Sequence, residues 1–274
     1  MGRNIRKSIL YIGLIFWTIV NVFPIYWMFT FSLKSNKEIF GENIIGLPKE
    51  WLWSNYSESI SKGMGRYFFN SGIVTLITIL LTTSCALLAT YALQRMEWKG
   101  RKLANNIFML GLTVPIHAAI LPVFLILSKM KMTNSYQALI IPYTAFALAM
   151  AIMISSSFME NVPRELEEAA CIDGCGVFGI FGRIIFPLMK PALSTISIFT
   201  FLQAWNELMF AVIFISESKY RTLSVGIQNL SGAYTTKWGP IGAALVIATF
   251  PTLILYSLMS KKIQESLLAG AIKG

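Results

Sequence analysis

The chain has 274 residues, of which 55% are hydrophobic and only 13% are charged, about half of the roughly 25% charged share of soluble domains. Because so few charges cannot cover a surface for water, a water-soluble fold is excluded and lipid is the expected solvent. The net charge of +10 would suggest a nucleic-acid partner in a soluble protein. Here the basic residues lie between apolar segments, which is typical of membrane topology, so no nucleic-acid partner is expected.

The first predicted element is a membrane-spanning helix over residues 8–31. The basic residues before it resemble the start of a signal peptide, but the apolar run is longer than a signal peptide's and no clear cleavage site follows. We therefore expect this span to be retained, and with the loop after it we assign it to a first region, residues 1–65. The loop is too short for a core of its own, and its Trp51 and Trp53 are expected at the membrane interface.

Further apolar segments are long enough to cross a membrane, since a span needs about 20 mostly apolar residues. The six predicted spans cover residues 8–31, 68–93, 106–128, 137–158, 192–216 and 239–260. Each must be helical, because unpaired backbone groups are not tolerated in hydrocarbon. Kinks are expected at the prolines inside these runs, which are Pro24, Pro115, Pro122, Pro142 and Pro251. The sequence therefore predicts an all-α membrane protein with six transmembrane helices, divided into a transmembrane core over residues 66–260 and a tail over 261–274.

The basic residues near the span ends predict the orientation, because Lys and Arg are enriched in cytoplasmic loops. Basic clusters precede the first span, follow the second and follow the last: Arg3, Arg6 and Lys7; Arg95, Lys99, Arg101 and Lys102; Lys261 and Lys262. Placing these clusters inside predicts that both termini are cytoplasmic, although the loops then placed outside also carry Lys and Arg. The same orientation puts the loop between the fourth and fifth spans in the cytoplasm.

This loop begins with a short predicted helix over residues 163–173. Pro163 suits a first helical turn, and the acidic residues that follow it suit the positive end of a helix. Gly174 suits a helix terminator. At helical spacing Leu166, Ala169, Ala170 and Asp173 share one face, which is small enough for a partner to approach closely.

A second segment of the loop, up to Pro191, is loosened by Gly176, Gly179 and Gly182. We expect Arg183 in this segment to return toward the helix and pair with Glu165 or Glu168. Considered without any known pattern, the whole loop is better explained as a solvated amphipathic connector between two spans.

The loop does match a specific pattern: Glu-Ala-Ala, three residues, Gly, nine residues, Ile, one residue, Leu-Pro. Glu168-Ala169-Ala170, Gly174, Ile184 and Pro187 fall in register, with Phe186 in place of the leucine. This resembles the signature of permease subunits of ABC importers. The resemblance implies the type I ABC importer permease fold and a loop that docks a separate ATPase through Leu166, Glu168, Ala169, Ala170, Asp173 and Gly174.

Other segments resemble the carbohydrate-uptake branch of this family, and in particular the shorter membrane subunit of maltose-type systems. They are Val162-Pro163-Arg164-Glu165, Asp173-Gly174, Trp205-Asn206-Glu207, Arg221-Thr222-Leu223 with Gly226, and the end of the chain from Leu268. Cys175 stands where the family usually has alanine. This difference exchanges one small residue for another.

The resemblance implies the partners of the chain. They are a second permease subunit, two cytoplasmic ATPase subunits, an extracytoplasmic sugar-binding protein and the lipid of a bacterial plasma membrane. The sequence contains no Gly-x-x-x-x-Gly-Lys-Ser/Thr phosphate loop. We therefore expect no cofactor on this chain and ATP use by the partner, so that the chain itself is not an enzyme.

Trp205, Asn206 and Glu207 in the fifth span are the candidates for a translocation path, because a charge inside a span is a functional hypothesis by default. Aromatic faces beside hydrogen-bonding groups suit a sugar. The alternative is that Glu207 serves packing or gating, and both interpretations stay open. In similar maltose systems the membrane sugar site belongs mainly to the other permease.

Two further candidates lie elsewhere in the chain. By resemblance the tail reaches between the ATPase subunits, with Gln264, Gly270 and Lys273 as contacts, whereas the alternative is a frayed terminus. His117, the one histidine, cannot make a metal site alone and is expected to hydrogen-bond a neighbouring helix.

Three other functions are considered. A permease for a solute other than a sugar would share the docking loop. A secondary transporter would usually need several intramembrane acids or paired broken helices, and the sequence shows one such acid and no repeat. A membrane-embedded enzyme would need clustered His, Asp or Cys, and the three cysteines provide neither a disulfide framework nor a zinc site.

Overall fold

The computed structural model describes the backbone of residues 2–41, 43–231 and 236–271, and the side chains of residues 6–41, 43–231 and 236–259. Within these ranges the chain contains helices and no β-strand, so the all-α prediction is confirmed. The α-helices of the described residues are α1 Gly2–Ser32, α2 Asn36–Ile39, α3 Ser54–Ser59, α4 Gly65–Gln94, α5 Arg101–Leu110, α6 Ile120–Lys129, α7 Gln137–Met159, α8 Glu165–Ile172, α9 Val177–Ile180, α10 Phe186–Leu188, α11 Lys190–Asn206, α12 Met209–Phe214, α13 Leu223–Gln228 and α14 Trp238–Ala271. Turns of π-helix at Ile60–Met64 and Phe181–Ile185, and 3₁₀ turns at Gly111–Thr113 and Ile116–Ala119, join some of them.

Four helical stretches in the described residues are each long and apolar enough to cross a membrane: Arg6–Ser32, Ser54–Gln94, Gln137–Met159 and Trp238–Met259. Two bent pairs meet the same criterion together, Arg101–Thr113 with Ile116–Lys129 and Val177–Leu188 with Lys190–Asn206. The described residues therefore contain four candidate spans, or six if each bent pair crosses the membrane as one span.

The predicted span 106–128 is not one continuous helix. Its two halves meet at an angle of 98°, and both Val114 and Pro115 are extended, with ψ of 118° and 113°. Proline lacks a backbone N–H and disfavours helical geometry in the residue before it. A kink is predicted at Pro115, and the structure has a full break of the helix at this position.

The predicted span 192–216 is also interrupted. α11 ends at Asn206, Glu207 is extended with ψ of 131°, and α12 begins at Met209. The apolar run in the sequence continues through this point, so composition alone does not reveal the break.

The described residues belong to two compact units, Met1–Arg66 with Gly226–Pro251, and Tyr67–Val225 with Thr252–Gly274. The sequence-based division of the chain after residues 65 and 260 stays a prediction.

In the first unit, the start of α14 packs closely on the end of α1. A Cβ added at Gly242 would lie 2.6 Å from Cδ1 of Phe31 and 2.9 Å from Cα of Ser32. Asn55 of α3 ties the same region together, because its Nδ2 donates to the carbonyls of Ser32, at 2.9 Å, and Lys34, at 3.1 Å. Gly242 thus allows the backbones of α1 and α14 to approach closely, as small residues do in membrane helix pairs.

In the second unit, α4, α7 and α11 share an apolar core. Ala86 of α4, Ile152 of α7 and Ile196 of α11 are buried in one cluster. A second cluster joins α6, α7 and α12 around Tyr143, Phe210 and Phe214, among others.

Two asparagines hold the segment between α12 and α13 against this core. Oδ1 of Asn134 accepts the backbone N–H groups of Ser216 and Glu217, at 2.7 and 3.0 Å. Nδ2 of Asn70 donates to the carbonyls of Lys219 and Arg221, at 2.9 and 2.8 Å. The loop is therefore positioned by side chains from two distant parts of the sequence.

Candidate functional site

The loop between α7 and α11 contains the short helix α8, observed at Glu165–Ile172 where the sequence predicts 163–173. Gly174 follows it with φ of +82°. The N–H of Cys175 donates to the carbonyl of Ala170 at 2.9 Å, and the N–H of Gly174 donates to that of Cys171 at 3.0 Å. These two bonds form a Schellman motif. The prediction that Gly174 terminates the helix is therefore confirmed.

The four residues predicted to share one face of α8 do not have the same environment. Leu166 is 43% exposed, and Ala169 and Asp173 are exposed. Ala170 is only 6% exposed and packs with Tyr91 of α4, Met159 of α7 and Ile185. Helical periodicity groups residues by angle and does not say which side of the helix meets the protein, so the inward position of Ala170 comes from tertiary packing.

Two large apolar side chains on this loop are almost fully exposed. Ile172 at the end of α8 is 87% exposed, and Phe178 of α9 is 88% exposed. Leu166 and Val177 are also exposed, and Glu165, Glu168 and Asp173 are exposed acidic residues of the same loop. We call Leu166, Ile172, Val177 and Phe178 the loop patch. Large apolar residues on both sides of the helix-ending Gly174 are the sequence signal that would have found it.

The inner side of α8 is held by α4 and α7. Nε of Arg95, the residue after α4, lies 3.1 Å from Oε1 of Glu167. Nη2 of Arg95 donates to the carbonyls of Met159, at 2.7 Å, and Val162, at 2.5 Å. The expected pairing of Arg183 with Glu165 or Glu168 is wrong, because these residues form no ion pair in the described part of the chain. Sequence reasoning placed Arg95 among the topology signals and missed this contact.

Trp205, at the end of α11, is buried. It is 6% exposed, stacks on Phe201 at 5.5 Å with an angle of 13° between the rings, and meets Phe68 edge-on at 5.5 Å. Asn206 beside it is exposed, and its Nδ2 donates to the carbonyl of Leu202 at 2.9 Å. Of these two path candidates, the structure leaves Asn206 accessible.

Glu207 organises the break between α11 and α12. Its Oε1 accepts the N–H of Phe210 at 3.0 Å, and its Oε2 accepts the N–H of Ala211 at 3.3 Å and the hydroxyl of Tyr143 at 2.6 Å. The carboxylate therefore satisfies N–H groups at the start of α12 that have no partner within that helix. Of the two interpretations of Glu207, these contacts favour a role in packing over contact with the substrate.

The remaining candidates contribute less to the site. His117 is exposed on a 3₁₀ turn and makes no hydrogen bond to a neighbouring helix within the described residues. The described residues contain no group of three or more His, Cys, Asp or Glu that could hold a metal. Gln264 and Gly270 lie in the part of α14 whose side chains are not described, and Lys273 lies outside the described residues.

Comparison with known proteins identifies relatives that match this chain over almost its whole length. The trehalose/maltose transport system permease protein MalG of Thermococcus litoralis is 36% identical, and the match covers 98% of this chain and 98% of that one. The sulfoquinovosyl glycerol transport system permease protein SmoH of Agrobacterium fabrum is 35% identical over 99% of this chain and 93% of that one.

A solved structure has the same fold. A chain of a bacterial ABC transporter involved in the import of the acidic polysaccharide alginate superposes with a TM-score of 0.81 at 19% identity, covering 95% of this chain and 97% of that one. The predicted ABC importer permease fold is therefore confirmed. The family model for "Binding-protein-dependent transport system inner membrane component" matches residues 83–268. The chain belongs to this family and is a multi-pass membrane subunit of a transport system.

Proposed function

We propose that this chain is the permease subunit of an ATP-driven carbohydrate importer, in which α8 receives the motion of a separate ATPase. The observation that carries the proposal is the loop patch: Ile172 at the end of the short helix α8 and Phe178 of α9 are exposed beside the Glu168-Ala169-Ala170 signature. Exposed apolar patches of this kind mark protein interaction sites. The relatives named above are transport permeases for sugars or a sugar glycerol, which supports a carbohydrate as the solute.

The chemistry of the loop suits a partner with an apolar groove and a basic rim. Ile172 and Phe178 would enter the groove, and Glu165, Glu168 and Asp173 would face the rim. Ala169 leaves room for close approach. Ala170 and Gly174 would not contact the partner directly. Ala170 packs α8 against the transmembrane helices, and Gly174 ends the helix.

The proposed assembly contains a second permease, two ATPase subunits and an extracytoplasmic sugar-binding protein. Both termini and α8 lie in the cytoplasm in this assembly, which puts the loop patch on the side where ATP is available. Gln264, Gly270 and Lys273 of the tail are proposed as further ATPase contacts. No side chain in the apolar window of α1 is buried within this chain, so lipid or the second permease covers that helix.

The proposed translocation path passes Asn206, which is exposed at the end of α11. Trp205 and Glu207 would support the path without lining it. Trp205 stacks on Phe201, and Glu207 caps the start of α12. A substrate would therefore meet the amide of Asn206 and not the carboxylate of Glu207. Closure of the ATPases would move α8 and switch the helix bundle between inward-facing and outward-facing states.

A secondary transporter is less well supported. Its candidate proton or ion carrier would be Glu207, whose two carboxylate oxygens already accept three hydrogen bonds. A carrier group must release its partners in each cycle, and here that release would unwind the start of α12.

Uptake into membrane vesicles tests the proposal. Vesicles prepared with ATP inside and supplied with the binding protein should accumulate its solute, and an uncoupler should leave the rate unchanged. Uptake that needs no ATP and is abolished by an ionophore would overturn the proposal in favour of a secondary transporter. Mass spectrometry of the solute retained by the copurified binding protein should find a saccharide, and a solute of another class would overturn the carbohydrate assignment alone.

A further inference from the structure

The side chain of Arg95 reaches the end of α7. Its Nη2 donates to the carbonyl of Met159, the last residue of α7, and to that of Val162 just beyond it. The last carbonyls of a helix lack donors within that helix, and a cation at this end also matches the helix dipole. Arg95 follows directly on Gln94, the last residue of α4. One guanidinium therefore joins the ends of two membrane helices.

The other edge of the same guanidinium contacts α8. Nε of Arg95 and Oε1 of Glu167 are 3.1 Å apart, and the two side chains are 8% and 15% exposed. Among the ion pairs of the described residues, this one alone involves α8. Water compensates a charge this well buried only poorly. A variant that lacks one partner therefore leaves the other charge buried and uncompensated.

The packing around the pair reinforces the same connection. Tyr91, one helical turn before Arg95, is buried with Ala170 of α8 and Met159 of α7, and its ring lies 5.3 Å from that of Phe181. A displacement of α8 would thus press on α4 and α7 through an apolar contact and an ion pair. The apolar contact can slide, whereas the guanidinium is held by its two bonds to the end of α7 and keeps its charge beside that of Glu167.

We propose that Arg95 is the positioning residue that transmits the motion of α8 to α4 and α7, so that breaking the Arg95–Glu167 pair uncouples ATP hydrolysis from transport. The inference rests on the proposed docking of an ATPase at the loop patch. It goes further by separating two roles on one helix. The exposed side of α8 receives the ATPase, and Glu167 on the inner side passes the motion to Arg95.

The test uses the complete transporter, copurified with its own ATPase and second permease and reconstituted in proteoliposomes. Three quantities are measured: ATPase subunit retained per permease, rate of ATP hydrolysis, and uptake of the solute found on the copurified binding protein. Arg95→Met and Glu167→Gln should retain the ATPase subunit, while uptake per ATP hydrolysed falls about tenfold. Arg95→Lys should fall between these variants and the unmodified protein, because an ammonium keeps the charge but not the fork.

Arg101→Met is the matched control. Arg101 begins α5, is half-buried, and makes one long side-chain bond, 3.4 Å to the carbonyl of Met96. This variant should keep normal uptake per ATP. A purely structural role for Arg95 would lower the amount of folded complex without changing uptake per ATP, and that result would overturn the proposal.

Glu167→Gln decides the question if Arg95→Met fails to fold, because it preserves the shape of the side chain and both carbonyl bonds of Arg95. Normal uptake per ATP in Glu167→Gln overturns the proposal. If instead the unmodified permease retains no ATPase subunit, the proposed function itself fails, so the two failures are distinguishable.

Discussion

The hydroxyl of Tyr143, in the N-terminal part of α7, donates a 2.6 Å hydrogen bond to Oε2 of Glu207 at the break between α11 and α12. The same carboxylate accepts the N–H groups of Phe210 and Ala211. Tyr143 is 2% exposed, so the bond lies where water cannot replace it. A single acidic side chain thus closes a break in an apolar segment and ties it to a neighbouring helix.

Substitution of these two residues should lower stability by different amounts. Tyr143→Phe removes one hydrogen bond and should lower the free energy of unfolding by about 1 kcal/mol. Glu207→Ala removes all three bonds and exposes the start of α12, which should cost about 2 to 3 kcal/mol. Thermal unfolding in detergent measures both. Tyr256→Phe, at a tyrosine that is 61% exposed, is the control, and a loss as large as that of Tyr143→Phe would contradict this account.

Substitution of Gly174 should disturb the end of α8 through the backbone and not through a clash. Its φ is +82°, and an added Cβ would have no neighbour within 4 Å. A β-branched residue in this left-handed conformation costs roughly 1–2 kcal/mol, whereas asparagine tolerates it better. Gly174→Val should therefore abolish retention of the ATPase and uptake while leaving membrane insertion intact, and Gly174→Asn should be much milder.

Gly176→Ala is the control for this pair, because Gly176 has φ of −75° and equally open surroundings. It should copurify with the ATPase at the normal level. Equal losses in Gly174→Val and Gly176→Ala would show that the left-handed helix end is not what the partner requires.

Substitution of Gly242 should separate α14 from α1 within the first unit. An added Cβ would meet the ring of Phe31 and the backbone of Ser32 below 3.0 Å, so Gly242→Ala should cost about 1–3 kcal/mol by overpacking. Gly13→Ala, in a part of α1 with no atom within 4 Å of the new Cβ, should not destabilise. The difference in unfolding temperature between the two variants measures the effect, and no difference would refute it.

Lys34 should make stability depend on pH. It is 1% exposed, and its Nζ donates to the carbonyls of Asn43 and Ile44 at 2.8 and 3.2 Å. Burial lowers the pKa of Lys34 below its ordinary value of 10.5, and the nearby Glu38 only partly opposes this. Between the folded and unfolded pKa values the unfolded chain binds more protons, so the free energy of unfolding should rise with pH there.

Lys34→Met removes the titrating group and should flatten this part of the pH profile. Thermal unfolding of the two proteins at several alkaline pH values gives the comparison. Since other groups titrate in both proteins, the prediction concerns the difference between the two profiles. Parallel profiles would mean that the pKa of Lys34 is the same in the folded and unfolded states.

Several elements could be predicted from the sequence because they depend on local chemistry. The break at Pro115 follows from a missing N–H, and the end of α8 follows from the left-handed freedom of Gly174. The break at Glu207 was not predicted, since the apolar run continues through it. Its carboxylate becomes a helix cap only because Tyr143 and the start of α12 lie beside it.

The sequence by itself determined the solvent, the helical class, the approximate spans and the loop that carries the family signature, since each depends on composition or on residues close together in the chain. Only the tertiary structure decided which side of α8 faces outward, burying Ala170 and leaving Ile172 and Phe178 exposed. It also decided that Arg95 and not Arg183 meets this helix. Such pairings join residues far apart in the chain, and packing between helices selects them where local periodicity cannot.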